Sequence, residues 1–143
     1  MDAETRAFHV SGPAGLDLVD RALDELDRLW ERAPEVSPQD RTLFTLALSE
    51  VTTNIAQHND RTEVVFSVDV RVTADELRAS VRDTAPPAPI DWDAVSMPEE
   101  AAESGRGLAL SQAALDEFTH TVGDHGNTWV LVRRVDPRRD AGD

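Results

Sequence analysis

In the run Leu46-Ala47-Leu48-Ser49-Glu50-Val51-Thr52-Thr53-Asn54-Ile55-Ala56-Gln57-His58, a carboxylate, an amide and an imidazole recur at every fourth position. At about 100° per residue, a helix brings Glu50, Asn54 and His58 into one slowly drifting row. Leu43 and Ala47 fall within that row, Leu46 lies just to one side, and Val51 and Ile55 lie to the other. The three polar groups therefore sit within an apolar arc rather than opposite it. Left there without partners, each costs roughly 1–3 kcal/mol, and more if it keeps a charge. A chain with this helix must bring something polar to that face, and a nucleotide with its metal ion meets the requirement. The same spacing also suits a helix whose polar groups bond nearby backbone, so the motif needs companions elsewhere in the chain. For His58, capping or packing at the helix end is the plain reading.

The 143 residues suit one domain, large enough for a two-layer core. A hydrophobic content of 40% argues against disorder, despite 29% charged residues. Fourteen basic residues face 28 acidic ones, giving a formal charge of −14. That balance opposes general binding to nucleic acid or to an anionic membrane, since both need a basic footprint. It suits a partner with a basic surface. Every basic residue is Arg, so no Lys serves a P-loop or a Schiff base. The lack of Cys removes disulfides, thiolate catalysis and zinc–thiolate sites. The acidic start Met1-Asp2-Ala3-Glu4 shows no signal-peptide pattern, and no apolar run reaches membrane-spanning length. The expectation is a cytoplasmic protein.

Thr5 to Val10 reads as a strand, and Ser11 to Gly15 as a loop. Leu16, Val19, Leu23, Leu26 and Trp30 step by helical intervals, which predicts a helix to about Arg32 with one apolar seam on the domain's own sheet. Ser37-Pro38 supplies an N-cap and a first-turn proline for the helix that carries Glu50 and Asn54 to about His58. Thr62–Val72 and Glu76–Asp83 alternate as strands. Thr84 to Ser104 holds four of the eight prolines and reads as a long lid-like loop. Gly107 to Glu117 reads as a helix, and Phe118–Val122 with Thr128–Val135 as a closing hairpin. Residues 1–137 form the expected domain, and 138–143 an expected disordered tail. The order β-α-α-β-β-lid-α-β-β predicts an α+β two-layer sandwich, with a mixed, mostly antiparallel sheet and helices on one face.

Three further elements join the polar helix. Asp83 ends a strand and opens the proline-rich loop. Gly105-Arg106-Gly107-Leu108 stands between that loop and a helix. Gly126-Asn127-Thr128 leads the last strand. A Gly-x-Gly entering a helix lets backbone N–H groups approach a phosphate in a favourable dipole field. In this order, Leu48-Ser49-Glu50-Val51-Thr52-Thr53-Asn54 resembles the N box, and Ser104-Gly105-Arg106-Gly107-Leu108 the glycine-rich G2 box, of the GHKL superfamily of ATP-binding domains. The likeness covers nearly the whole chain and runs nearest to bacterial anti-sigma factor serine/threonine kinases.

The resemblance implies a Bergerat-type ATP-binding fold with ATP and Mg²⁺ as cofactors. It implies that Asn54 coordinates the ion and that Glu50 takes the proton of an attacking hydroxyl. Asp83 would accept a hydrogen bond from the adenine amino group, where guanine presents a repelling carbonyl. Thr128 would support the adenine pocket. Gly105 and Gly107 would bring donors to the phosphates, with Arg106 and the proline-rich segment as a lid and Leu108 opening the helix. One departure stands out. Asp83-Thr84-Ala85-Pro86-Pro87 puts Ala85 where the family usually has its first glycine, adding a Cβ near the base. The implied function is an anti-sigma regulator that phosphorylates an antagonist protein on Ser or Thr, with a sigma factor as second partner and a homodimer as the assembly. A binding-only regulator that keeps the fold without turnover is the alternative that Ala85 favours. The catalytic module of a histidine kinase ranks third, since no dimerisation helices with a phosphoacceptor His precede the first strand.

Overall fold

Phe66, Val68, Val70 and Val72 alternate with Ser67, Asp69 and Arg71, a period of two that gives one apolar and one polar face. In the computed structural model this stretch is the second strand of a five-stranded sheet. The structure describes residues 6–59, 64–84, 111–123 and 126–135. The elements are β1 (Arg6–Pro13), α1 (Leu16–Glu31), α2 (Pro38–Asn59), β2 (Val65–Val72), β3 (Glu76–Asp83), β4 (Glu117–Gly123) and β5 (Gly126–Arg134). Residues 111–114 are helical and lead into β4. The strand order is β1-β2-β3-β5-β4, and every neighbouring pair is antiparallel.

Both helices cover one face. Val68, Val70, Ala79, Val81, Trp129 and Leu131 turn inward and share a core with Leu26, Phe44, Leu48, Val51 and Ile55. The outward face is polar, with His9 bonded to Asp69 at 2.7 Å and Arg78 to Glu76 at 2.8 Å. This is the expected α+β two-layer sandwich, with an antiparallel rather than mixed sheet.

Several boundaries differ from the sequence reading. The first strand runs on to Pro13, because Ser11, Gly12 and Pro13 continue the ladder opposite Ser67, Phe66 and Val65. β1 is an edge strand, where a terminal proline forfeits no ladder donor. The expected helix to Glu117 ends earlier. Asp116 donates its N–H to Val132 O at 2.8 Å and accepts from the Arg134 N–H at 2.5 Å, which turns the chain into β4. The last strand starts at Gly126, two residues before Thr128. The expected lid 84–104, apart from Thr84 at its start, and the tail 138–143 lie outside the described residues, as does the first part of the helix expected from Gly107.

The helix faces also shift. α1 packs on both β1 and α2, so its buried side is broader than one seam. It buries Leu18, Val19, Ala22, Leu26, Leu29 and Trp30, while Leu16 is 56% exposed. α2 packs beside α1 and against β3 and β5, and its buried stripe centres on Phe44, Leu48, Val51 and Ile55. Glu50 and Asn54 are half-buried at the border of that stripe rather than within it. Thr52, between them in sequence, is fully inside, and its hydroxyl donates to Leu48 O at 2.8 Å. The start of α2 is as the sequence indicates. Ser37 Oγ accepts from the Asp40 N–H at 3.0 Å.

One buried ion pair ties the layers. Arg133 of β5 donates from Nε to Asp40 Oδ1 at 2.7 Å and from a terminal nitrogen to Ala114 O at 2.8 Å. Asp40 is 2% and Arg133 7% exposed, so removing one partner leaves an uncompensated charge. Arg133→Met is expected to destabilise the fold by about 3–5 kcal/mol in denaturant unfolding. The double variant with Asp40→Leu should recover much of that loss, and a single variant as stable as the parent would mean the pair is dispensable.

Candidate functional site

β3 ends at Asp83 where β5 begins, and the register sets Asp83 opposite Asn127 and Arg82 opposite Thr128. Side chains alternate along a strand, so Asp83 shares the inward face with Ala79 and Val81, and Asn127 with Trp129 and Leu131. The apolar core thus closes at this end on a polar pair, Asp83 at 5% and Asn127 at 2% exposure.

That pair is bonded. Asn127 Nδ2 donates to Asp83 Oδ1 at 3.0 Å, and His120 Nε2 lies 2.9 Å from Asn127 Oδ1. An amide that turns its NH₂ to the carboxylate turns its oxygen to the imidazole, so this network assigns the hydrogen to His120 Nε2. The His120 ring stacks on Trp129, with centroids 4.7 Å apart and planes 17° from parallel. Position 126 has no room for a side chain. Gly126 holds φ at 136°, and a Cβ there would stand 1.8 Å from Asp83 O and 2.9 Å from Thr84 Cα. Glycine is what lets β5 start this close to the end of β3.

Thr128 faces the other way. Ser67, Arg82, Thr128 and Thr121 form one cross-strand row on the outward face and line a groove of about 400 Å³. Asp83 and Asn127 border that groove from the next register row, while their side chains belong to the inward face.

On α2, Glu50 and Asn54 stand one turn apart at the border of the buried stripe, and α2 packs against β3 and β5. Of the expected row, Glu50 and Asn54 form a half-buried edge of α2. His58 belongs to α2, but its side chain lies outside what is described, as do Ala85, Gly105, Arg106, Gly107 and Leu108. Among the described residues, no cluster of three or more His, Asp or Glu side chains forms a metal cage. The Asn54 amide oxygen is still the hard donor that suits Mg²⁺, which keeps its waters and takes few protein ligands beside phosphate oxygens.

Two residues of this site went unread in the sequence. Asn127 was legible in principle, because it stands two residues before Trp129 and four before Leu131 on one alternating face. Thr128, the residue singled out from the sequence, lies on the opposite face of β5 and lines the groove that Asp83 and Asn127 border.

A family model for the histidine kinase-like ATPase domain matches residues 12–133. The chain belongs to that family. The sequence has no match among curated proteins. The fold is similar to the crystal structure of the RsbU and RsbW domains of Rv1364c from Mycobacterium tuberculosis. The TM-score there is 0.65 at 20% identity, covering 90% of this chain and 32% of that one. It is similar to the histidine kinase domain of a blue-light-activated kinase from Erythrobacter litoralis, with a TM-score of 0.52 at 22% identity and coverage of 86% and 61%. It also matches the nucleotide-free catalytic domain of the histidine kinase ThkA, with a TM-score of 0.56 at 13% identity and coverage of 92% and 99%. The chain spans about a third of the first of these and under two thirds of the second.

In this histidine kinase-like ATPase domain, Gly126→Ala should push β5 away from Asp83. The expected loss is about 1–3 kcal/mol of stability, read by thermal unfolding. A variant that melts with the parent would show that the strand ends part without cost.

Proposed function

We propose that this chain is an anti-sigma regulator that binds Mg·ATP and phosphorylates an antagonist protein on Ser or Thr. The observation that carries the nucleotide reading is Asp83, a buried carboxylate held in place by Asn127 at the end of β3, in a chain of the ATPase family. A carboxylate accepts from the 6-amino group of adenine and repels the 6-oxo group of guanine, which selects ATP. The likeness to the RsbU and RsbW domains supports the regulatory setting, and a sigma factor, an antagonist and a homodimer are the partners and assembly that the family resemblance implies.

Each residue then has a task. Asp83 reads the base, and Thr128 supports that strand end from the outward row. By the family resemblance, Gly105 and Gly107 would bring backbone donors to the phosphates, with Arg106 as part of a lid. The Asn54 amide oxygen would hold a Mg²⁺ ion, whose chemistry is to neutralise charge on the phosphate oxygens. Glu50 accepts the proton as the partner's hydroxyl oxygen bonds to the γ-phosphorus. The bond from that phosphorus to the β–γ bridging oxygen breaks, and ADP leaves with the electron pair. The half-buried setting of Glu50 and Asn54 suits groups that meet a ligand from the edge of a core. A second reading, a regulator that binds partners without turnover, is supported by Ala85 in place of a glycine.

Glu50→Ala is expected to retain Mg·ATP and to lose roughly 10²–10⁴-fold in transfer, the usual range for a positioned acid or base. Asn54→Ala should lose metal-dependent binding and transfer together. Calorimetry with ATP and GTP, with and without Mg²⁺, beside labelled transfer to a cognate antagonist, separates these outcomes. Transfer by Glu50→Ala at the parent rate would make Glu50 a structural residue. ATP binding without transfer by the parent would favour the second reading.

A further inference from the structure

The inward end of the sheet holds more polar structure than a base-reading carboxylate requires. Asp83, Asn127 and His120 form a chain across β3, β5 and the edge strand β4, ending on the Trp129 ring. We propose that Asn127 and His120 are positioning residues that fix the plane of the Asp83 carboxylate and so set how strictly this site prefers a 6-amino purine over a 6-oxo purine. The proposal rests on the nucleotide reading above and adds the residues that govern its selectivity.

The physical basis is the two-ended nature of an amide. Asn127 donates through Nδ2 and accepts through Oδ1, and a half-turn about its last bond exchanges the two. Turned the wrong way, its oxygen would face Asp83 Oδ1 at hydrogen-bond distance and push the carboxylate aside. The carboxylate, which only accepts, draws the NH₂ group and turns the amide oxygen to His120, whose Nε2–H then gives the amide a second hold in that orientation. His120 is itself held by the stack on Trp129, and Trp129 is 7% exposed in the core. Rigidity thus passes from the core, through an imidazole and an amide, to one carboxylate oxygen. A carboxylate has about four acceptor positions, and the Asn127 bond uses one of them.

Fixing the carboxylate matters for rejection more than for binding. A carboxylate that can swing accommodates a 6-oxo base by turning away and admitting a water between the two oxygens. A held carboxylate cannot, so the 6-oxo base meets it directly. Discrimination built this way falls when the support is loosened, even though the reading residue is untouched.

The test compares ATP with inosine triphosphate, which carries the 6-oxo group without the 2-amino group of guanine. His120→Phe keeps an aromatic ring for the Trp129 stack and deletes the donor. His120→Gln returns an N–H donor. Calorimetry in Mg²⁺ should show the parent's preference for ATP reduced about tenfold in His120→Phe, the size of one hydrogen bond, and restored to within about threefold in His120→Gln. Asn127→Ala, which removes the amide, should lower the same ratio. Thermal unfolding of each variant confirms that the fold persists, and position 120 is half-buried on an edge strand where a ring replaces a ring. If His120→Phe weakens both nucleotides equally and leaves the ratio intact, the network is only structural and the inference fails while the nucleotide reading stands. If the parent itself binds neither triphosphate, the inference falls together with that reading.

Discussion

The hydrogen bond from Asn127 to Asp83 is the interaction on which the candidate site of this molecule turns. A carboxylate at 5% exposure needs donors, and the donor here comes from the neighbouring strand in the one register that sets residue 83 opposite residue 127. That register in turn requires a residue without a side chain at position 126, because β5 begins in contact with the backbone of Asp83 and Thr84. One bond thereby links a turn glycine, a sheet register and a charged group.

The same economy holds at the other end of β5. Arg133 is buried on the inward face, where a Val or Leu would satisfy the alternation, and it meets both Asp40 and the carbonyl of Ala114. It fastens the first turn of α2 to the helical residues that precede β4. Both helical segments that flank the expected phosphate site are thus anchored to one strand. α2 carries Glu50 and Asn54, and the segment ending at Ala114 follows the glycine-rich sequence. A strand fixed at both ends by polar contacts gives the site a rigid frame.

Much of this was legible in the sequence, and the reasons differ by element. β2 and β3 read cleanly because Val and Leu alternate with charged residues over eight positions. The start of α2 read cleanly because Ser37-Pro38 combines a cap with a fixed φ. The faces of the helices read less well, since periodicity finds an apolar stripe without saying how many layers it must meet. α2 touches both α1 and the sheet, so its buried side moves towards Phe44 and Val51 and leaves Glu50 and Asn54 on the border. At the candidate site, the place of Asp83 at a strand end was legible in the sequence. Asn127 was passed over for Thr128, although the alternation from Leu131 and Trp129 points to 127. His120 had no local signal at all, because its partner is set by the β4–β5 register, which only the folded sheet defines.

The central claim is that the inward side of this strand end, rather than the outward groove across Arg82 and Thr128, receives the base. Nuclear magnetic resonance of the side-chain amide of Asn127 and the imidazole of His120 during titration with Mg·ATP tests it most directly. The account predicts that both signals shift as ATP is added and stay in place with GTP at the same concentration. Shifts confined to Thr121, Thr128 and Arg82, with Asn127 and His120 unmoved, would contradict it.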